Sequence, residues 1–153
     1  MTQLTLTTPT GEEQSISESE LLSQAKYTVL YFYPKDDTPG CTLEAQWFNT
    51  LLPEFQKLDV QIIWVSHDPH KSHCKFVSKH GLWFPLIADT DLIIHNDPRF
   101  NTWWEKSMYG KKYMGTMRQT FVLDEKWEIV YKWDKVDTKA HAQEVLEWAR
   151  GVE

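Results

Sequence analysis

Short apolar runs alternate with longer amphipathic stretches along most of this chain. Val29-Leu30-Tyr31-Phe32-Tyr33 and Val60-Gln61-Ile62-Ile63-Trp64-Val65 have few polar interruptions. Runs without polar alternation suit strands buried on both faces of a sheet. Phe84 to Ile87 reads as a third, shorter strand. Gln119 to Leu123 and Trp127 to Trp133 read as two more, joined as a hairpin by Asp124-Glu125-Lys126. Near the N-terminus, Leu4 and Leu6 alternate with threonine, which predicts an exposed strand, and Thr10-Gly11-Glu12-Glu13 reads as a turn.

Between these strands the period becomes helical. Pro34 ends the first buried run and Lys35-Asp36-Asp37 is a polar connection. Thr38 then stands as an N-cap, with Pro39 at the first helical position. The helix runs on through Leu43, Ala45, Trp47 and Phe48, and Pro53 should kink or split it before Glu54 to Leu58. Asp68 and Pro69 open a second helix, which Gly81 ends. Ser17 to Gln24 suits one short helix with Leu21 and Leu22 turned inward. A last helix starts near Asp137 and Thr138 and gathers Ala142, Val145, Leu146 and Ala149 on one face. Residues 88–117 read as a long irregular segment, with helical signals broken by Asp97-Pro98, Gly110 and Gly115; such stretches are often functional. This order predicts an α/β chain with a central mixed sheet flanked by helices, the order of a thioredoxin-like fold with an inserted helix.

Composition narrows the possibilities. At 153 residues, 41% hydrophobic and 14% aromatic, the chain is read as a single domain over 1–153 with a real core, not a disordered segment. Its net charge of -6 gives no overall basic footprint for nucleic acid. No apolar run approaches a membrane span, and the N-terminal residues lack the basic-then-apolar pattern of a secretory signal. Two cysteines 33 positions apart are no disulfide framework, so a cytoplasmic protein with reactive or incidental thiols is expected.

One of those thiols is distinctive in its position. With Thr38 as cap, Cys41 is the third helical residue, in the turn where backbone N–H groups lack partners and the helix dipole is positive. Both effects favour thiolate over thiol, so redox chemistry at sulfur is the leading expectation.

Tyr31-Phe32-Tyr33-Pro34-Lys35-Asp36-Asp37-Thr38-Pro39-Gly40-Cys41-Thr42 resembles the active-site segment of peroxiredoxins, closely that of the bacterioferritin-comigratory or Q-type subgroup. The family pattern Pro-x-x-x-Thr-x-x-Cys is matched by Pro34, Thr38 and Cys41. A second block, Glu105 to Gly115, resembles the subgroup's loop before its catalytic arginine, and Arg118 fills that arginine position. The resemblance covers about residues 26–150. It implies a thioredoxin-like fold with a peroxiredoxin-type insertion and a peroxidase that forms a sulfenic acid on Cys41. It also implies roles for other residues. Arg118 would stabilise charge, Thr38 would bond peroxide or thiolate, Pro34 would shield the sulfur, and Glu44 would orient Arg118. No metal or organic cofactor is implied. The reductant would be a thioredoxin-type protein or another small thiol, and a monomer is favoured, with a dimer through an aromatic surface as the alternative.

The chain departs from that pattern in how the sulfenic acid would be resolved. Many Q-type members carry a resolving cysteine five residues after the first, where this chain has Gln46. Others carry it on the next helix, at a position that counts to about Val77; here Cys74 lies one turn earlier. The segment from Asp89 to Trp104 is slightly longer than usual, and the N-terminal hairpin is trimmed. Cys74 as resolver and a one-cysteine route with an external thiol therefore stand side by side. His70, His73 and Cys74, with His67 upstream, have a spacing that could gather metal ligands on one helix face, against which stands a polar helix start near the surface. Trp103-Trp104 reads either as core or as a contact surface near the site. A peroxide sensor passing oxidation to a partner protein is the alternative function. A thioredoxin-type disulfide oxidoreductase lacks its Cys-x-x-Cys motif.

Overall fold

The two longest apolar runs become neighbouring central strands. The computed structural model describes residues 3–126 and 128–151. In chain order its elements are β1 (Gln3–Thr7), β2 (Glu13–Ser17), α1 (Glu18–Leu22), β3 (Tyr27–Phe32), α2 (Pro39–Lys57), β4 (Val60–Ser66), α3 (His70–His80), β5 (Leu86–Ala88), β6 (Trp103–Met108), β7 (Lys111–Thr116), β8 (Gln119–Asp124), β9 (Ile129–Trp133) and α4 (His141–Gly151). Seven strands form one sheet in the order β2-β1-β5-β4-β3-β8-β9, and β6 and β7 pair apart from it. β3, β4 and β5 run parallel, while β1 and β8 pair antiparallel to their neighbours.

Side chains of a strand point alternately to opposite faces, and β3 shows how both faces are filled. Val29, Tyr31 and Tyr33 join Ile62, Trp64 and Val122 on one face, beneath Ala45, Phe48 and Phe55 of α2 and Val145 and Leu146 of α4. Leu30 and Phe32 join Ile63, Val65 and Phe121 on the other, with Leu21 and Leu22 of α1 and with Ile94 and Phe100. Each large side chain buried this way contributes roughly 1.5–3 kcal/mol, and this gain holds the long α2 in place. Among the described residues no helix is long and apolar enough to cross a membrane.

The register sets up the site. β8 runs antiparallel to β3 with Phe32 opposite Gln119. Residue 118 therefore stands where β3 ends and its connection to α2 begins.

Several expectations are corrected. Leu4 and Leu6 are buried, not exposed, because β1 lies between β2 and β5 with both leucines in the second core cluster. Pro53 does not split α2, which is continuous from Pro39 to Lys57; Phe48, Leu52 and Phe55 are buried on either side of it. Asp68 does not cap α3. Pro69 holds the cap position, and Asp68 Oδ2 instead accepts from Ser66 Oγ and the Asp36 amide, both at 2.8 Å. Gly81 does end α3, in a left-handed conformation (φ 61°) that suits glycine. α4 starts at His141; Asp137 organises the turn before it, its carbonyl accepting from Ala140 and His141 and its side chain from Lys139. The expected strand from Trp127 appears as β9 from Ile129, and Trp127 lies outside the described residues. The segment read as irregular contains the β6–β7 hairpin, closed by Tyr109 and Gly110 with φ 52° and 78°. Positive φ at both turn residues is the tight hairpin geometry that matches strand twist.

Candidate active site

Thr38 is extended and Pro39 begins α2, so Cys41 is its third helical residue. Thr38 does not cap with its side chain. Its hydroxyl donates back to the Lys35 carbonyl at 3.2 Å, and the Thr42 amide donates to the Thr38 carbonyl at 2.8 Å. Cys41 itself is fully buried.

Arg118 meets this sulfur from the position just before β8. Its Nη2 donates to Cys41 Sγ at 3.2 Å, and its Nη1 donates to Tyr31 Oη at 2.7 Å. Tyr31 packs flat on Trp64 and edge-on to Phe48, so the acceptor that aims the guanidinium is fixed by the core. Burial opposes the charge on Arg118, but Tyr31 and Cys41 outweigh it and its pKa is raised. Burial, with Glu44 adding, pushes the Tyr31 phenol up, so it stays neutral and able to accept.

Glu44 is buried, but neither carboxyl oxygen has a hydrogen-bond partner, so Tyr31 and not Glu44 holds Arg118 here. Burial raises the Glu44 pKa to about 8; Arg118 opposes this, and Asp137 and Glu144 add to it. His141 at the start of α4 pairs through Nε2 with Thr120 Oγ1 at 2.7 Å, and burial, then Arg118, lower its pKa to about 4. Around the sulfur, then, Arg118 is the fixed charge, while Tyr31, Glu44 and His141 are neutral near pH 7.

Beside the Cys41 loop lies a cavity of about 400 Å³ lined by Pro34, Thr38, Trp103, Lys106, Tyr113 and Met114, among others. Pro34 and Thr38 thus stand at its wall, and the hairpin supplies the opposite side. Trp103 contributes here and packs on His67 and His95, while Trp104 is half-exposed.

The loop is also tied to α3. Asp36 takes a hydrogen bond from Ser72 Oγ at 2.7 Å and lies 2.7 Å from His73 Nδ1. Asp37 pairs with Lys79 at 2.7 Å and His80 at 2.9 Å, and these partners lower its pKa. His73 Nε2 reaches the Ile87 carbonyl at 3.0 Å, so His73 points inward. His70 and Cys74 face β1 and the β1–β2 turn instead. Cys74 Sγ donates to the Gly11 carbonyl at 3.1 Å and lies 3.2 Å from His70 Nε2, while His70 Nδ1 bonds Thr7 Oγ1 at 2.7 Å. His67 Nε2 turns to the Thr90 carbonyl at 3.1 Å. The ligand set suggested by the spacing therefore does not converge. Asp36, Asp68 and His73 do cluster closely, but they are engaged with one another and with Ser66 and Ser72.

Sequence reasoning thus placed Cys41 and Arg118 together and missed Tyr31. One signal was available: a tyrosine on the core face of a buried strand needs a partner for its hydroxyl.

Comparison with known proteins agrees with this geometry. The AhpC/TSA family profile matches residues 2–132. Peroxiredoxin Bcp of Xanthomonas campestris is 47% identical over 120 residues, 78% of this chain and 74% of its own length. Peroxiredoxin Bcp of Bacillus subtilis is 42% identical over 137 residues, 90% of this chain and 83% of its own length. A solved structure of Xanthomonas campestris bacterioferritin comigratory protein, described for its alkyl peroxide reduction activity, superposes with a TM-score of 0.85 at 39% identity. That match covers 99% of this chain and 91% of the other. The fold, a thiol met by arginine at a helix start, and these relatives lead to one assignment: the chain belongs to the AhpC/TSA family, within its Bcp and Q-type peroxiredoxins, and is a thiol-dependent peroxidase.

Proposed function

We propose that Cys41 is the nucleophile and that it reduces hydrogen peroxide and organic hydroperoxides, with Arg118 and Tyr31 as its immediate partners. The observation that carries this is the 3.2 Å contact from Arg118 Nη2 to Sγ, with the other arm of the guanidinium anchored on Tyr31. The thiolate attacks one peroxide oxygen and the O–O bond breaks. Sulfur is oxidised to sulfenic acid, and the departing oxygen takes a proton and leaves as water or alcohol. Arg118 donors are placed to stabilise negative charge first on sulfur and then on the departing oxygen. Because Cys41 has no exposed surface, peroxide reaches it when the Pro34–Thr38 loop parts from its neighbours.

A second thiol then attacks the sulfenic sulfur, releasing water and forming a disulfide. That thiol belongs to Cys74 or to an external reductant, for which a thioredoxin-type protein is our proposal. We place the chemistry in the cytoplasm, in keeping with two unpaired thiols, and favour a monomer.

The test is intact mass after one equivalent of peroxide, with and without a sulfenic-acid trap. Loss of two hydrogens marks a Cys41–Cys74 disulfide; an added oxygen or a trap adduct marks the external route. Cys41→Ser should abolish peroxide consumption. Consumption that survives this substitution removes Cys41 as nucleophile.

A further inference from the structure

We infer that the cavity beside Cys41 takes organic hydroperoxides that carry a carboxylate, and that Lys106 receives that acid group. This specificity rests on the peroxidase reading above.

Size is the first argument. Hydrogen peroxide is two oxygen atoms, whereas the cavity holds about 400 Å³, in the range that encloses organic ligands. Its walls are largely apolar at Pro34, Trp103, Tyr113 and Met114, which suits a hydrocarbon or aromatic body rather than a second polar group.

The second argument is an underused cation. Lys106 lines the cavity and is half-buried. Its Nζ donates to the Thr116 carbonyl at 3.0 Å, and among the described residues it pairs with no carboxylate. An ammonium has three donors, so two remain for a ligand. Lys35, the other lysine at the wall, is exposed, so its charge is screened by water where that of half-buried Lys106 is less so. Asp68, the acid there, is engaged by Ser66 and the Asp36 amide, and His67 turns to the Thr90 carbonyl. Burial lowers the pKa of Lys106, and Arg118 lowers it further; an incoming anion would relieve both.

The third argument is rigidity. The Lys106 stem crosses the hairpin over Gly115, where an added Cβ would lie 3.1 Å from Lys106 Cδ. The absence of a side chain at Gly115 gives the lysine this path, and the Thr116 carbonyl holds its head. A positioned cation is worth more to a ligand than one on a free arm, because less conformational freedom is lost on binding. Arg118 is committed to sulfur and Tyr31, so the two cations divide the substrate: Arg118 attends the peroxide end and Lys106 the acid end.

The experiment compares second-order rates of Cys41 oxidation by cumene hydroperoxide and by its para-carboxylate derivative, followed by tryptophan fluorescence. The wild-type protein should favour the carboxylate roughly tenfold, the scale of one charge-assisted hydrogen bond. Lys106→Met should bring the ratio to about one and Lys106→Arg should keep most of it, on the same reasoning. Each ratio is read within one protein, so partial misfolding scales both rates alike. Equal wild-type rates, or a preference that survives Lys106→Met, overturn the assignment of Lys106 and leave the peroxidase intact. A wild-type protein oxidised by neither compound nor by hydrogen peroxide overturns both readings.

Discussion

The two cysteines of this chain sit in opposite hydrogen-bonding surroundings. Cys41 is fully buried in the first turn of a long helix and meets a guanidinium, which only donates. Cys74 is half-exposed within α3 and meets the Gly11 carbonyl, which only accepts, and a His70 ring already bonded to Thr7. A carbonyl asks its sulfur partner to donate, a guanidinium asks it to accept. The difference teaches that what a thiol's neighbours offer is separate from its exposure: here the buried sulfur is the one that meets a fixed cation.

The sharpest way to break this contrast is to remove the donor. Arg118→Ala should slow Cys41 oxidation by peroxide about 10²- to 10³-fold, the usual cost of losing one charge-stabilising donor in a buried site. Alkylation of Cys74 should hardly change, and stopped-flow tryptophan fluorescence with mass-mapped alkylation reads both. A mild effect at Cys41 would mean that the helix start alone suffices. Tyr31→Phe is subtler. It leaves the charge but frees one arm of the guanidinium, and a loss of roughly tenfold in the same rate is expected from a misaimed donor. An unchanged rate would show that Arg118 aims itself.

The smallest effect concerns stability around Cys41 rather than rate. Glu44, with its pKa raised to about 8, holds a proton in the folded state that the unfolded chain releases near 4.5. Its contribution is therefore complete below that lower value and is lost as pH rises through 8. His141, lowered to about 4 from 6.5, acts in the other direction: its contribution grows as pH rises from 4 and is complete above 6.5. The two oppose each other in mild acid, and above pH 6.5 Glu44 acts alone. Glu44→Gln, neutral at every pH, should remove about 2 kcal/mol of decline in stability between pH 6.5 and 8. Urea unfolding of both proteins across that range measures it, and parallel curves would mean that Glu44 is not buried in neutral form.

What could be read in advance depended on how local each feature is. Apolar runs gave away β3 and β4, because strands buried on both faces need no polar alternation. Thr38-Pro39 gave the start of α2 and so the depth of Cys41 within it. Arg118 came from the resemblance to peroxiredoxins, not from periodicity, since only the antiparallel register of β3 and β8 brings it to the sulfur. Tyr31 was hidden for the same reason. The hairpin β6–β7 was missed because Gly110 reads as a breaker of helices as readily as a turn between strands, and Trp104, Tyr113 and Met114 are half-exposed, leaving no clean apolar face. Glu44 stood in the right place for its expected role, but burial without a hydrogen-bond partner is a property of packing that spacing does not carry. The histidines of α3 show the same limit: one turn of helix sends His73 inward to Asp36 and keeps His70 beside Cys74.

The ties between the loop and α3 have a kinetic consequence. Asp36 holds Ser72 and His73, and Asp37 holds Lys79 and His80, so four side-chain links join the strand exit to the helix bearing the second cysteine. On the proposed access route, lifting this loop from Cys41 would have to strip them from α3 together, so uncovering of the sulfur is expected to be cooperative and not a gradual loosening. The shelter that keeps this thiol from water would then open as a latch, and its release would act on the very helix from which Cys74 would have to come.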